Sequence, residues 1–447
     1  MIADVRLEEK RNKARTGIIN SSERDNIIFL RQGETINITV TEKVSGNLSF
    51  FVKPYAGGDP VTTFSNIGTL SYTAPRDGML GISSGYAGVY QAIITFANRV
   101  PYVVNLSADI SEPIRIQDVE NVIINGNGYK INLGTQITYT SSGNIRTAPY
   151  TYKSGDLVDQ VFVSKTKPLI NTSSGVERTY FPNVALWMLS GNAYDTAIEL
   201  VPNETTAEVN STENSYTYDA SNNCFVVNCA TAGTLYLASE LSVGLILSNV
   251  KNAQVNNLTV MFAHGDNFYS KNSTVRFTNC KALFSTSSTG FKSETDKSVE
   301  YDHCEAVQNR RDGFSGNGAT NYIIYNSRGA YNHDDGISNH GDLAYGQEEY
   351  FIIENCRLEG NSKAGIASPV YGSSGIVAGN ICKDNLMFGI EVATNSTYPV
   401  TEPQYIKGNL LLNNATGIYN ESYTTVYEYQ NLFSGNTTDK VGSFISL

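Results

Sequence analysis

The chain has 447 residues, enough for two or three domains or for one elongated repeat structure, and only 17% of them are charged. Its net charge of -11 argues against a general nucleic-acid binder, because phosphate contacts need Lys and Arg; it does not exclude an acidic polysaccharide held by a local basic patch. With 38 Gly and 28 Tyr, the composition is that of a β-rich chain with a polar surface.

Met1 to Lys10 are charged from the outset and lack the apolar core of a secretory signal, and no stretch approaches the ~18 apolar residues of a membrane span. An extracellular or virion-surface location would then require release by lysis or assembly, or a processed sequence. Asp4 to about Arg15 reads as a short polar helix, followed by a linker to residue 24. Residues 25–108 read as a separate small β-sandwich-like domain. Alternating runs such as Ile36-Asn-Ile-Thr-Val40 and Leu48-Ser-Phe-Phe-Val52 are divided by turns such as Ala56-Gly-Gly-Asp-Pro60. An attachment or spacer role is the plainer reading, and a carbohydrate-binding module the sharper one.

From about residue 109 the chain reads as a solenoid. Ile114 to Ile131 form an opening strand followed by the turn Asn125-Gly-Asn-Gly128, which resembles a first coil of the pectate-lyase-like superfamily. Residues 136–240 break the period and read as an irregular insertion. In solenoids such insertions become loops on one face, often the binding face. Trp187 is the single Trp of the chain. With Tyr150, Tyr152 and Tyr180 it is a candidate platform for stacking on sugar rings, the alternative being that it fills the insertion's own small core.

After residue 241 the period is explicit. Aligning each small–apolar doublet gives Asn267-Phe268, Gly290-Phe291, Gly313-Phe314, Gly336-Ile337, Gly365-Ile366, Gly389-Ile390 and Gly417-Ile418. A second column holds Asn309, Asn332, Asn361, Asn385 and Asn413, and a third Cys280, Cys304, Ser327 and Cys356, with Cys382 near it. The segments between are short β-branched and aromatic runs, so each repeat is strand, turn, strand, turn. That predicts a right-handed parallel β-helix with stacked side chains as its core. Recurrent Asn suits left-handed turn geometry and amide bonding up the stack. Stacked interior thiols explain the cysteines; a disulfide between adjacent coils is geometrically possible, and no zinc pattern is present.

Charge collects on four consecutive coils. Four positions before the apolar member stand His264, Ser287, Arg310 and His333; two before it stand Asp266, Thr289, Asp312 and Asp335, with Asp334 alongside. Just after the column come Lys292 and Glu294, then Asn317, then His340. Coils about 4.8 Å apart would spread this column over roughly 15 Å, the length of about three sugar units. A solvated face with local salt bridges is the bland alternative. Asp312, Asp334 and Asp335 should lie within a few ångströms on the outer surface, where they repel and raise a pKa. Either a hard cation such as Ca²⁺ binds them or Arg310 and Arg311 neutralise them.

Asp312-Gly313 and Asn332-His-Asp-Asp-Gly336 resemble the Ca²⁺-ligand pattern of the pectate lyases of polysaccharide lyase family nine. The chain departs from that pattern at Ser338, where the family has Asp, and at Ala367, where it has its catalytic Lys. Asp334, Asp335, His340 and Gly341 are similar to the Asp pair and His-Gly of the galacturonan hydrolases, although here they share one coil. The order helix, small β domain, β-helix with insertion resembles phage tailspikes, homotrimers that bind and often cleave surface polysaccharide.

The expectation is a polysaccharide-cleaving β-helix, lyase before hydrolase. His340 or His333 would be the base, and Arg310, Arg311 or Lys292 would neutralise a uronate. Asp312, Asp334 and Asp335 would be the metal or acid group, with Trp187, His264, Glu294 and Asn317 binding substrate. Its rival is a non-enzymatic receptor-binding or adhesive fibre. Neither reading has the chain enter a membrane or bind nucleic acid.

Overall fold

The computed structural model describes residues 12–19, 24–30, 32–43, 48–53, 59–64, 68–75, 78–84, 88–98, 101–151, 169–171, 178–180, 185–190, 194–203, 205–219, 221–238, 243–340, 349–368, 373–392, 403–421 and 425–446. They fall into two compact units, one of residues 1–104, 116–124 and 249–254, the other of the remainder.

In the first unit the strands between residues 12 and 98 form two four-stranded antiparallel sheets. One orders Asn12–Ile19, Gly88–Asn98, Thr35–Lys43 and Gly68–Thr73; the other orders Arg24–Leu30, Gly78–Ser84, Leu48–Lys53 and Asp59–Phe64. Ile36 and Ile38, two apart on one strand, are both fully buried, as a half-buried strand requires. Residues 12–15, expected to be helical, instead begin a strand that pairs along its whole length with Gly88–Asn98. The β-branched Thr16, Ile18 and Ile19 favour that ladder, and polar helix propensity does not compete with it. Asp4 to Arg11 of the expected helix lie outside the described residues.

The second unit carries the solenoid. One coil shows the plan: Phe314–Asn317 on a first face, Asn321–Tyr325 on a second, Arg328–Ala330 on a third, then Ile337–His340 back on the first. Neighbouring coils pair in parallel on all three faces. On the first face the register runs Phe268, Phe291, Phe314, Ile337, Ile366, Ile390, Ile418, as the repeat predicts, and each is at most 1% exposed. Phe291 stacks on Phe268 at 4.5 Å and on Phe314 at 4.9 Å.

Two tight corners set the coil. At each, one residue takes a left-handed conformation and the next points inward. Asn279, His303, Asn326 and Asn355 precede Cys280, Cys304, Ser327 and Cys356; Gln308, Tyr331 and Asp384 precede Asn309, Asn332 and Asn385. The ladder asparagines are therefore not the left-handed residues. Each accepts both the main-chain N–H and the amide of the Asn one coil earlier: Asn332 Nδ2 reaches Asn361 Oδ1 at 3.0 Å, and Asn361 Nδ2 reaches Asn385 Oδ1 at 2.9 Å. In the last repeat the ladder residue is Asn414, not Asn413, which is left-handed and exposed. That repeat has one residue fewer between ladder Asn and Gly, so counting back from glycine misplaces it. The glycine column permits the close stacking: a Cβ on Gly336 would lie 2.7 Å from the Gly365 carbonyl oxygen and 2.9 Å from Asn361 Nδ2. All six cysteines are free and buried, and Cys382 sits on the third face in register with Leu358 and Leu411.

The insertion is more regular than its sequence suggests. Its described strands pair antiparallel except for Val201–Pro202, which runs parallel to Ser215–Asp219; one sheet is built on Thr135–Ile137, Thr234–Ala238, Ala185–Leu189 and Ile198–Glu199. Leu186, Met188, Phe225, Leu235 and Leu237 are buried in a core of its own. A capping box from Thr205 and Glu208 opens its short helix, Thr206–Ser211.

Asn361→Ala should lower stability by about 2–4 kcal/mol, because it strips the acceptor from a buried N–H and a buried amide at once; denaturant unfolding measures this. Asp296 gives a pH prediction. Its fully buried carboxyl accepts from Ser270 Oγ (2.5 Å), Ser293 Oγ (2.7 Å) and Ser273 N–H (2.6 Å), and burial raises its pKa to about 6 despite those bonds. The native state then holds this proton more tightly than the unfolded chain. Its contribution is full below the unfolded value and is lost as pH rises to about 6, a change on the order of 3 kcal/mol. Relative to Asp296→Asn, wild-type melting temperature should therefore fall between pH 4 and 6; a constant difference across that window would refute the assignment.

Candidate functional site

On the first face, odd and even strand positions alternate between core and exterior. One non-core column reads Tyr269, Lys292, Ser315, Ser338, and it is partly exposed at Tyr269 and Lys292 but buried at Ser315 and Ser338; the column beside it, Lys271, Glu294, Asn317, His340, is partly exposed throughout. The turn leading into this face supplies Asp312 from one coil and Asp334 and Asp335 from the next. Oxygens of these three carboxyls lie within 4.8 Å of one another.

The triad is together as the sequence implied, but it is buried rather than exposed: Asp312, Asp334 and Asp335 are 3–4% exposed. The turn backbone folds over them. Asp335 Oδ1 accepts Ala364 N–H at 3.0 Å, and Asp312 Oδ1 lies 3.4 Å from Asp335 N. The carboxyls thus help join successive coils. Burial first, then Asp334, raises the Asp335 pKa well above the carboxylate range; Lys363, opposing, does not cancel this.

The neutralising cation is not the expected arginine. Arg310, 6% exposed, turns away and donates to Glu199 Oε1. His333 Nε2 joins the other Glu199 oxygen at 3.0 Å. Arg310 and His333 therefore clamp the insertion strand Ile198–Glu199 rather than line the outward strip. Burial works against the Glu199 charge, but Arg310 and His333 outweigh it and hold its pKa down. Arg311 is exposed; its carbonyl accepts Asp334 N–H at 3.3 Å. The cation facing the acids is Lys363, 3.8 Å from Asp335 Oδ2 and paired with Glu391. Burial disfavours its charge, but Asp335 and Glu391 raise its pKa on balance, so it stays protonated.

Around the triad, Lys292 Nζ donates to Ser315 Oγ at 3.2 Å; burial lowers its pKa against the pull of Asp312 and Asp266. His340 Nε2 and Ser338 Oγ are 2.7 Å apart. Burial pushes the His340 pKa down to about 4, with Asp312 opposing, so the ring is neutral at pH 7. Glu294 is engaged by Lys271 Nζ and Tyr269 OH, both at 2.6 Å, and Asn317 lies between it and His340 in the column.

Two expected binding residues lie elsewhere. Trp187 is 1% exposed and its ring packs on Phe284 at 4.9 Å, so it offers no face to a sugar. Alternation along Ala185–Leu189 puts Leu186 and Met188 in the insertion's core and Trp187 and Leu189 against the coils. His264 is 5% exposed, with Nδ1 3.3 Å from Thr286 Oγ1, and burial lowers its pKa. Tyr152 lies outside the described residues, as does the side chain of Tyr180. Lys363, Glu391 and Glu199 were missed. The two lysine-pair residues belong to coils whose glycine column looks neutral, and a turn position one residue before Ala364 was the available signal. Nothing local in the sequence marks Glu199.

A family model described as right-handed β-helix region matches residues 243–367 and 337–438. No curated protein matches the sequence. Among solved structures, a periplasmic alginate epimerase is 14% identical over 43% of this chain and 47% of its own, TM-score 0.36, so the chain spans less than half of that protein. The A-module of the Azotobacter vinelandii mannuronan C-5 epimerase is 12% identical over 46% and 74%, TM-score 0.35. A Yersinia enterocolitica family 28 exopolygalacturonase is 9% identical over 96% and 98%, TM-score 0.38. At these scores the likenesses carry no argument about activity. No helix among the described residues is long and apolar enough to cross a membrane.

Glu199→Gln should cost about 3 kcal/mol, since Arg310 would keep a buried charge without its counter-ion. Limited proteolysis should then cut within residues 136–240 faster than in wild type; equal rates would show that the clamp does not hold the insertion.

Proposed function

We propose that this chain, whose C-terminal half is a right-handed β-helix, cleaves a polysaccharide at the Asp312–Asp334–Asp335 cluster by acid–base hydrolysis. The observation that carries the reading is geometric: three carboxyls converge at one point, so close and so enclosed that burial and their mutual repulsion favour a proton shared within the cluster. Environments that push neighbouring carboxyl pKa values apart are how acid and base roles are divided. The protonated member of the cluster would protonate the glycosidic oxygen as the bond to the anomeric carbon breaks. Asp312 or Asp334 would take a proton from the attacking water. Lys292, Glu294, Asn317 and His340, all partly exposed, supply polar groups along a strip that a linear chain of sugars can follow.

Calcium fits this set poorly. Asp335 Oδ1 is taken by a backbone N–H and its Oδ2 faces an ammonium, which leaves two carboxyls where Ca²⁺ takes 6–8 oxygens. We therefore read the cluster as balanced by Lys363 and by a proton shared within it.

A second reading rests on His340. A neutral imidazole among Lys292, Lys363 and Arg311 suits removal of a sugar-ring proton beside a uronate, which is lyase chemistry. A screen of uronate-containing and capsular polysaccharides, with and without EDTA, separates these. Hydrolysis gives reducing ends without the ultraviolet absorbance of an unsaturated product, unaffected by EDTA. Asp335→Asn should then lower turnover about 10²–10⁴-fold with binding kept. Unsaturated product would transfer the role to His340, and binding without turnover by any polysaccharide would leave a fibre or receptor-binding protein.

A further inference from the structure

Past the acid cluster the same turn changes character. The turn that leads His333, Asp334 and Asp335 into Ile337–His340 returns two coils later as Leu386, Met387 and Phe388, leading into the rest of Phe388–Val392. Main-chain bonds stack these turns: Lys363 N–H donates to the Asp334 carbonyl, and the N–H groups of Met387 and Phe388 donate to the Lys363 carbonyl. Phe388 thus holds the register position of Asp335, with Ala364 in the coil between. Asp334 and Asp335 are buried, whereas Leu386 is 65% exposed and Met387 and Phe388 are partly exposed. The Phe388 ring stacks on Tyr419, one coil on, with centroids 4.8 Å apart and planes at 22°. Tyr419 is also partly exposed, and it continues the non-core column of Ser338 through Ala367 and Glu391.

We propose that Phe388 and Tyr419 form a sugar-binding platform, a subsite that packs against the apolar face of one ring of the polysaccharide about 10–14 Å, two to three coil steps, from the acid cluster. The inference rests on the polysaccharide reading of that cluster. Position selects the occupant. Acids and rings lie on one face of the solenoid, so a linear glycan that reaches Asp335 and follows the axis passes over the rings further on. The stack uses one face of each ring; the other face of Phe388 looks back toward Ala364, a methyl in the same register, and so toward the acids. Chemistry agrees with position. A pyranose has an apolar C–H face and a rim of hydroxyls, and the rings supply the apolar floor. Lys363 and Glu391, between the acids and the rings, supply charge at the rim. Burial first, then Glu421 and Glu391, raise the Tyr419 pKa, so its hydroxyl keeps a proton to donate. Aromatic lining with a few placed polar groups suits a small ring. Leu386, Met387, Phe388 and Tyr419 fall far short of the ~20–30 residues a side of a stable protein interface.

Calorimetry tests this on the full chain carrying Asp335→Asn, so that ligand is not consumed, with uronate-containing and neutral oligosaccharides from disaccharide to octasaccharide as probes. Affinity should rise with length. Phe388→Leu and Tyr419→Ala should each lower it about 3–10-fold for the octasaccharide, and Phe388→Tyr, which keeps a ring, should retain it. Thermal melts check folding, and if one variant fails to fold the other decides. Undiminished affinity in both ring variants, or no binding by any of these oligosaccharides, overturns the platform. So does a mass of two copies by light scattering that Phe388→Leu reduces to one, which would place the rings in a protein contact. Ring-dependent binding without turnover by the wild-type chain supports the platform and instead overturns hydrolysis at the acids.

Discussion

Each coil of this protein rests on the next at the distance of one β-sheet hydrogen bond, and the glycine column with its asparagine ladder is what lets it rest there. A side chain at Gly336 would collide with the carbonyl above it, and Asn332 and Asn361 fill the corner that the turn leaves open. Each ladder Asn accepts two bonds from the Asn one coil earlier and donates two to the next, from its main-chain N–H and its amide, and the amide's second hydrogen goes to a main-chain carbonyl, so the corner's buried polar groups are satisfied within the stack. The left-handed residue ahead of each ladder Asn turns the chain sharply enough to keep the faces flat. The phenylalanine and isoleucine column follows from this spacing.

The same spacing concentrates charge. Residues that share a turn position in successive coils cannot separate, so Asp312 is held against Asp334 and Asp335 whatever their repulsion costs. The turn offsets part of that cost by giving Asp335 a backbone donor, and Lys363 and Glu391 complete the balance from later coils. The same carboxyls tie coil to coil, through Ala364 N–H on Asp335 and Asp335 N–H beside Asp312. His340 is neutral because burial removes its charge faster than Asp312 can support it.

The insertion is fastened at several points along the coils. Arg328 meets Asp195 through two bonds, Gln308 donates to the carbonyls of Tyr194 and Asp195, and Glu199 receives Arg310 and His333. Trp187, Phe262, Leu283 and Phe284 provide the apolar part of that contact. The histidine–arginine column that looks like part of a substrate strip is in fact the polar edge of this junction. Beside the triad, Lys292, Glu294, Asn317 and His340 are partly open to solvent, whereas Ser315 and Ser338 are buried.

The period of the repeat, the identity of the interior column and the proximity of the three aspartates were legible in the sequence, because stacking makes position within a repeat equivalent to position in space. The ladder slipped by one residue at Asn413, where the turn shortens and no register signal compensates. The N-terminal strand was not legible because its partner lies 69 to 83 residues further along the chain, from Ile19 paired with Gly88 to Asn12 paired with Thr95, and local propensity does not report such pairing. Side-chain direction at the turns was beyond the sequence as well. Whether Arg310 faces the acids or Glu199, whether Trp187 faces solvent or Phe284, and which lysine meets Asp335 depend on an insertion folding back over the coils. Repetition thus determined the fold and the neighbourhood of the site, while contacts made between segments far apart in the chain decided which residues within that neighbourhood are available to act.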